Sequence, residues 1–304
     1  MKISGFTMVR NADKFYFPIK ASIESVLPLV DEFVVALGDN SPGDKTREII
    51  ESIGSDKIKI IDRVWDEKEF VESRIFASET SFALSQCSGD WCLYMQADEA
   101  LHEQDHETIK SYCEKYVNDK RVDGFLFNYN HFWGDYDHYL PIHGWYKNEI
   151  RLVRNNENIY SYGDAQSFRK GENQKLAVIP IPAYVYHYGW VRPPQMMAAK
   201  KEEHDSIHHG REEAAKKAAE VPDYFQYGPL GRLPVFKGSH PKVMGDFIAQ
   251  LNWKDKLDFS SGPYPNRPKL KHERTKYKVL QKLENIFNGG KDFFGYANWT
   301  ILKK

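Results

Sequence analysis

The sequence predicts an α/β protein, a mostly parallel sheet flanked by helices and followed by a mainly helical C-terminal extension. Three observations carry this. Short apolar runs alternate with amphipathic stretches from the N-terminus to about residue 120, the pattern of βαβ units. Near Ile150 the alternation gives way to shorter apolar segments broken by prolines, and from Pro194 the composition turns to Ala, Glu and Lys. The 304 residues suit one large domain or two unequal ones, and 41% hydrophobic with 14% aromatic residues is enough apolar surface to exclude a disordered scaffold.

KISGFTMV is apolar and strand-like, closing on the polar turn Arg10-Asn11-Ala12. From Pro18 to Leu29, Ile19, Ile23, Val26 and Leu27 fall at helical spacing, and EFVVAL (32–37) is the second strand. GDNSPGD is a turn, Asp44 can cap TREIIESI as a helix, and IKIID (58–62) is the third strand. A helix from about Glu72 to Gln86 stops at Ser88-Gly89, and WCLYM (91–95) reads as a buried strand ending in Gln96-Ala97-Asp98-Glu99. A helix near Glu103 to Tyr116 and the aromatic strand VDGFLFNYNHF follow. EIRLVRN and NIYSYGDAQSF read as shorter strands or a hairpin, and AVIPIPAYVYHYGW as an apolar segment broken by Pro180 and Pro182. Pro194 to Glu220 reads as an exposed helix and KYKVLQKLENIF (276–287) as an amphipathic one.

A net charge of -1 argues against a dedicated duplex-binding protein and hence against a nucleic-acid partner. The charge is uneven. Residues 1 to 190 hold 21 Lys+Arg against 30 Asp+Glu, whereas the rest hold 21 against 13. That basic C-terminal region can meet phosphate, an anionic glycan or an anionic membrane surface, although solvated helix faces also produce such an imbalance. Cys87, Cys92 and Cys113 form no metal-type pair and read as reduced, buried thiols. No apolar run approaches the roughly 18 residues of a membrane span, and MKISGFTMVRNA lacks a secretion signal's apolar core, so a cytoplasmic location, including the inner face of a membrane, is expected.

GDWCLYMQADEAL (89–101) is the most informative segment. Ligands of open α/β sheets collect outside the carboxyl ends of strands, and carboxylates delivered there can hold a divalent cation with phosphate oxygens and water. The segment resembles the GDWxLxLDADE signature of family 2 glycosyltransferases, which have a GT-A fold, a Rossmann-like βα sandwich that binds nucleotide-diphospho-sugars. FTMVRNA (6–12) is similar to that family's first-strand turn, and DEFVVALGDNSPGDKTREIIE (31–51) to its second strand, turn and helix. The likeness covers residues 2 to 101 well. It continues more weakly through WYKNEIRLVRNNENIYSYGDA (145–165), similar to an RLFR-then-HE stretch of related bacterial sugar transferases of glycan biosynthesis.

The resemblance implies metal-dependent inverting transfer of a sugar from a UDP-, GDP- or TDP-sugar to a glycan or lipid-linked glycan, with Mn²⁺ or Mg²⁺ as cofactor. A departing diphosphate needs its charge stabilised, and an acceptor hydroxyl needs a general base. By motif position, Arg10, Asn11, Asp39, Arg74, Gln96 and Asp98 are the expected donor contacts, and Asp98 with the late histidine His187 the metal ligands. Asp164 is the candidate base and Glu149 its reserve. Residues 1–120 would bind the donor and 121–190 the acceptor, within one 1–190 domain on which 191–304 packs.

Two departures stand out. Gln96 replaces the first Asp of the family's DxD motif, and Gly38-Asp39-Asn40 replaces its usual acidic pair. Plainer readings accompany each residue. Asp98 and Glu99 can cap the following helix, Asp164 can be a turn residue, and His187 can be a packed core histidine. His204 and His208 stand at zinc-binding spacing but read as solvated surface. Phe132, Trp133, Tyr136, Tyr139, Trp145 and Tyr146 suit either sugar stacking or core packing. A non-catalytic glycan-binding protein and a sugar nucleotidyltransferase are the alternative functions; for the latter, Arg10-Asn11-Ala12 supplies no Gly-rich phosphate loop.

Overall fold

The structure, a computed structural model, describes residues 1–209, 224–290, 292, 293 and 297–302, with 71–73, 208 and 209 described through their backbone alone. The first strands form as their apolar runs dictate: β1 (Ile3–Val9), β2 (Glu32–Leu37), β3 (Ile58–Asp62) and β4 (Trp91–Tyr94) lie parallel in the order β3-β2-β1-β4. Strands covered on both faces are apolar at successive positions. In β2, Phe33, Val35 and Leu37 enter one cluster while Val34 and Ala36 enter the other, and Phe6 of β1 points opposite to Ile3 and Val9.

The helices between them are α1 (Ile19–Glu24), α2 (Thr46–Glu51) and α3 (Arg74–Ser85). α1 is shorter than the Pro18 to Leu29 spacing predicts. Pro28 disfavours a helical Leu27, and the segment closes in tight turns such as Val26 N–H to the Ile23 carbonyl. Asp44 takes the Thr46 N–H at 2.9 Å, as expected of a capping residue, although Lys45 stands at the cap position itself. A 3₁₀ turn (Glu67–Ser73) replaces the start of the helix expected from Glu72.

Beyond β4 come β5 (Glu99–Leu101), α4 (His106–Tyr116), β6 (Gly124–Trp133), β7 (Asn148–Arg154), β8 (Ile159–Tyr162), β9 (Ser167–Lys170) and β10 (Gln174–Trp190). Here the sheet becomes mixed: β7 runs antiparallel between β4 and β6, and β10 runs parallel to β6 and antiparallel to β5 and β9. β10 breaks register twice. The first break, between Pro180 and Tyr184, holds Pro180 and Pro182, which lack the N–H a ladder needs. The second, between His187 and Trp190, bends the end of β10 beside the β4–β5 turn.

α5 (Pro194–His209) then crosses the carboxyl side of the sheet, short helical turns are scattered over 230–273, and a helix spans Thr275–Phe287. β11 (Trp299–Ile301) returns to pair with β10. The part of the helix predicted from 210 to 220 lies outside the described residues. Among the described residues no helix is long and apolar enough to cross a membrane.

Candidate active site

The site grows from the β4–β5 turn. β5 pairs with β10 so that Glu99 lies opposite His187, and Tyr188 N–H donates to the Asp98 carbonyl at 2.8 Å. That register sets the Asp98 carboxylate beside the His187 imidazole, Oδ1 to Nε2 3.9 Å. Both line a cleft of about 550 Å³. On its other side His187 meets His131, Nδ1 to Nδ1 2.9 Å, and His131 Nε2 lies 2.7 Å from the Tyr146 carbonyl. Burial drives His187 down to about 4, so near neutral pH it is an uncharged imidazole.

Asp98 faces cations. Lys200 of α5 donates to Asp98 Oδ2 at 3.3 Å and to the Gly189 carbonyl at 3.0 Å. The fully buried Arg192 guanidinium donates to the Phe15 and Gly189 carbonyls, while its Nε has no partner. Burial alone would raise Asp98, but Lys200, His187 and Arg192 together hold it at about 2. Lys200 is lowered to about 8 by burial and by the Arg192 charge. Two cations thus face one carboxylate, an excess of positive charge in a partly enclosed site.

Glu99, adjacent in the same acidic motif, does not share this role. It is fully buried at the start of β5, where Arg151 Nε and Nη2 each donate to it at 2.9 Å and Tyr129 Oη at 2.8 Å. Its charge is taken up by a buried ion pair, so it is not available to the cleft, and it does not cap a helix as the plainer reading expects.

The donor-side expectations separate. Arg10 and Gln96 line the cleft. Arg10 is anchored by the Asp39 carbonyl (2.9 Å) and Glu203 (3.3 Å) and lies over Trp65. The Gln96 amide reaches Tyr94 Oη and the Ala165 carbonyl, each at 3.4 Å. Asn11 serves the loops: in left-handed backbone (φ 57°) its side chain accepts Ser41 N–H at 2.6 Å, and its own N–H donates to Asn40. Asp39 accepts Trp65 N–H at 3.1 Å beside Arg10 and is not a lining residue. Arg74 opens α3 as an exposed side chain away from the cleft lining.

On the acceptor side, Asp164 is an exposed residue of the β8–β9 turn that reaches the cleft, whereas Glu149 on β7 is buried and does not line it. Burial, opposed by the Arg151 charge, pushes Glu149 up to about 8. The aromatic set divides. Phe132, Trp133 and Tyr136 are core, while Trp145 and Tyr146 form cleft wall with Trp190.

Sequence reasoning missed Lys200, Trp65, Phe76 and His204 as cleft residues. His204, read as solvated surface, stacks on Phe76 at 6.2 Å between centroids, which packs edge-on against Trp65; the side chain of His208 lies outside the described residues.

The residues present fit a divalent cation. An oxygen and a nitrogen 3.9 Å apart lie within the span of two ligand bonds of about 2.1 Å, so both can reach one ion. Gly189 keeps that space open, since a Cβ there would lie 2.5 Å from His187 Nε2 and 2.8 Å from Asp98 Oδ2. A second cluster among the described residues, His143, Glu284 and Asp292, already holds the Lys147 ammonium.

No family model matches the chain, and no curated protein sequence matches it significantly. Among solved structures it is similar to S. aureus TarS at 13% identity and TM-score 0.38, over 72% of this chain and 42% of that one. Mannosyl-3-phosphoglycerate synthase from Rubrobacter xylanophilus aligns at 18% and 0.31, over 43% of this chain and 41% of that one. Glucosyl-3-phosphoglycerate synthase from Mycobacterium tuberculosis, in complex with Mn²⁺, uridine-diphosphate and phosphoglyceric acid, aligns at 15% and 0.28, over 42% of each chain. The alignments thus span 41–42% of the length of these three structures.

Proposed function

We propose that the chain is a nucleotide-sugar-dependent glycosyltransferase of the GT-A, family 2 kind, transferring a sugar with inversion from a UDP-, GDP- or TDP-sugar to a glycan or lipid-linked glycan. The observation that carries this is the convergence of Asp98, His187 and Lys200 on one cleft beyond the carboxyl end of β4, walled by Trp65, Trp145 and Trp190.

In this reading Asp98 and neutral His187 hold Mn²⁺ or Mg²⁺, which when bound supplies Lewis-acid stabilisation of the diphosphate leaving group. The Lys200 ammonium, backed by Arg192, shares that anionic charge. Asp164, free of the core, takes the proton of the acceptor hydroxyl. The aromatic walls stack against a sugar ring and exclude water. The division into a donor half, an acceptor half and a covering C-terminal part belongs to the same proposal, because Lys200 reaches the site from beyond residue 190.

A non-catalytic glycan-binding role is the second reading, favoured by the neutral Gln96 in the first acidic position. Hydrolysis and transfer assays over a panel of UDP-, GDP- and TDP-sugars with Mn²⁺ or Mg²⁺ separate the two. The transferase reading expects turnover with at least one donor. Asp98→Asn should abolish metal-dependent nucleotide binding, whereas Asp164→Asn should leave donor affinity within about twofold and cut transfer by roughly a hundredfold or more. No turnover, with glycan binding retained, would establish the second reading.

A further inference from the structure

The helix Thr275–Phe287 lies at the surface, anchored by one buried side chain. Its Glu284 is fully buried against His143 (2.5 Å) and Lys147 (3.5 Å). Beside it Val279, Leu283, Ile286 and Phe287 are 49%, 39%, 70% and 72% exposed. At 3.6 residues per turn these four positions form one continuous stripe, too apolar for a face that meets only water.

The exposed charges of the stretch 269–287 are of one sign. Lys269, Lys271, Arg274, Lys276, Lys278 and Lys282 precede or lie within the helix; Lys276 falls within the stripe and Lys282 flanks it. The two acids of the same stretch, Glu273 and Glu284, are both buried, Glu273 in an ion pair with Arg267. Nothing anionic among them offsets the exposed cations.

We propose that this face docks on an anionic lipid bilayer, with Ile286 and Phe287 entering the headgroup boundary and Lys276 and Lys282 meeting lipid phosphates. The charge decides the occupant. A second copy of the same face would bring like charges together, whereas an acidic membrane complements them.

The helix is also stapled to the cleft. Besides the Glu284 contacts, Lys147 Nζ donates to the Gly290 carbonyl at 2.7 Å and Lys271 Nζ to the Gly144 carbonyl at 2.5 Å. These fix the segment whose Trp145 and Tyr146 line the cleft wall. Docking through the helix would hold that wall beside the bilayer.

The test is co-sedimentation of the full chain with vesicles of phosphatidylglycerol mixed with phosphatidylcholine, and of phosphatidylcholine alone. It reads binding only, so it stands or falls apart from the transferase reading. The expected result is salt-sensitive capture by the mixed vesicles alone. Ile286→Ser with Phe287→Ser, and separately Lys276→Glu with Lys282→Glu, should each lower the bound fraction about tenfold with unchanged thermal transitions. Absence of capture by the mixed vesicles overturns the proposal. So does capture indifferent to lipid charge and to both variants, or a dimer in ultracentrifugation that Ile286→Ser with Phe287→Ser dissolves.

Discussion

Asp98 and Glu149 show how neighbouring elements push two carboxyls in opposite directions. Lys200, His187 and Arg192 outweigh burial at Asp98, whereas at Glu149 burial outweighs Arg151. A carboxyl raised in the folded state contributes stability below its ordinary range, and that contribution is lost as pH rises toward about 8. Glu149→Gln should therefore stabilise the protein by roughly 1–3 kcal/mol near pH 8 and leave it unchanged near pH 4. Thermal unfolding at the two pH values measures this; an equal gain at both would show that charge is not the cause. That Asp98 and His187 stand at the cleft was legible in the sequence, because one follows a buried strand in a recognisable motif and the other ends a long apolar run. Lys200 was not. Within AAKKEEH it looks like any solvated lysine, and only the packing of α5 across the sheet turns it inward.

At the scale of elements, the short strand β5 decides what Asp98 can do. Glu99, buried in its pair with Arg151, pins β5 against β10 and so sets where the preceding carboxylate stands. Glu99→Gln leaves the buried Arg151 charge uncompensated, and a loss of about 3–5 kcal/mol in denaturant unfolding is expected. A loss under about 1 kcal/mol would mean that the β5–β10 pairing does not depend on it. The parallel strands were readable almost to the residue from their apolar runs. β5 was not, since three residues show no periodicity and its adjacent acids imitate a turn. The register breaks of β10 were foreshadowed only by Pro180 and Pro182; the bend near Gly189 arises from tertiary pairing.

At the scale of the molecule, the regions before and after residue 190 share one interior. Trp133 and Leu140 pack with Met197, Tyr227 and Leu230, while Phe132 and Tyr136 pack with Met244 and Trp253. A chain cut to residues 1–190 should therefore lose its near-ultraviolet circular dichroism and aggregate; a soluble fragment with a native-like spectrum would show the two regions to be independent. The change of composition near residue 190 was visible in the sequence, but periodicity cannot show that apolar residues on both sides enter common clusters. The central claim is that Asp98 and His187 together receive a divalent cation in this cleft. Anomalous diffraction at the manganese edge, from crystals grown with Mn²⁺ and a nucleoside diphosphate, tests it most directly. The account predicts a peak within bonding distance of Asp98 and of His187 Nε2, with Lys200 turned toward phosphate. A peak confined to His143, Glu284 and Asp292, or bound nucleotide with no metal beside Asp98, would contradict it.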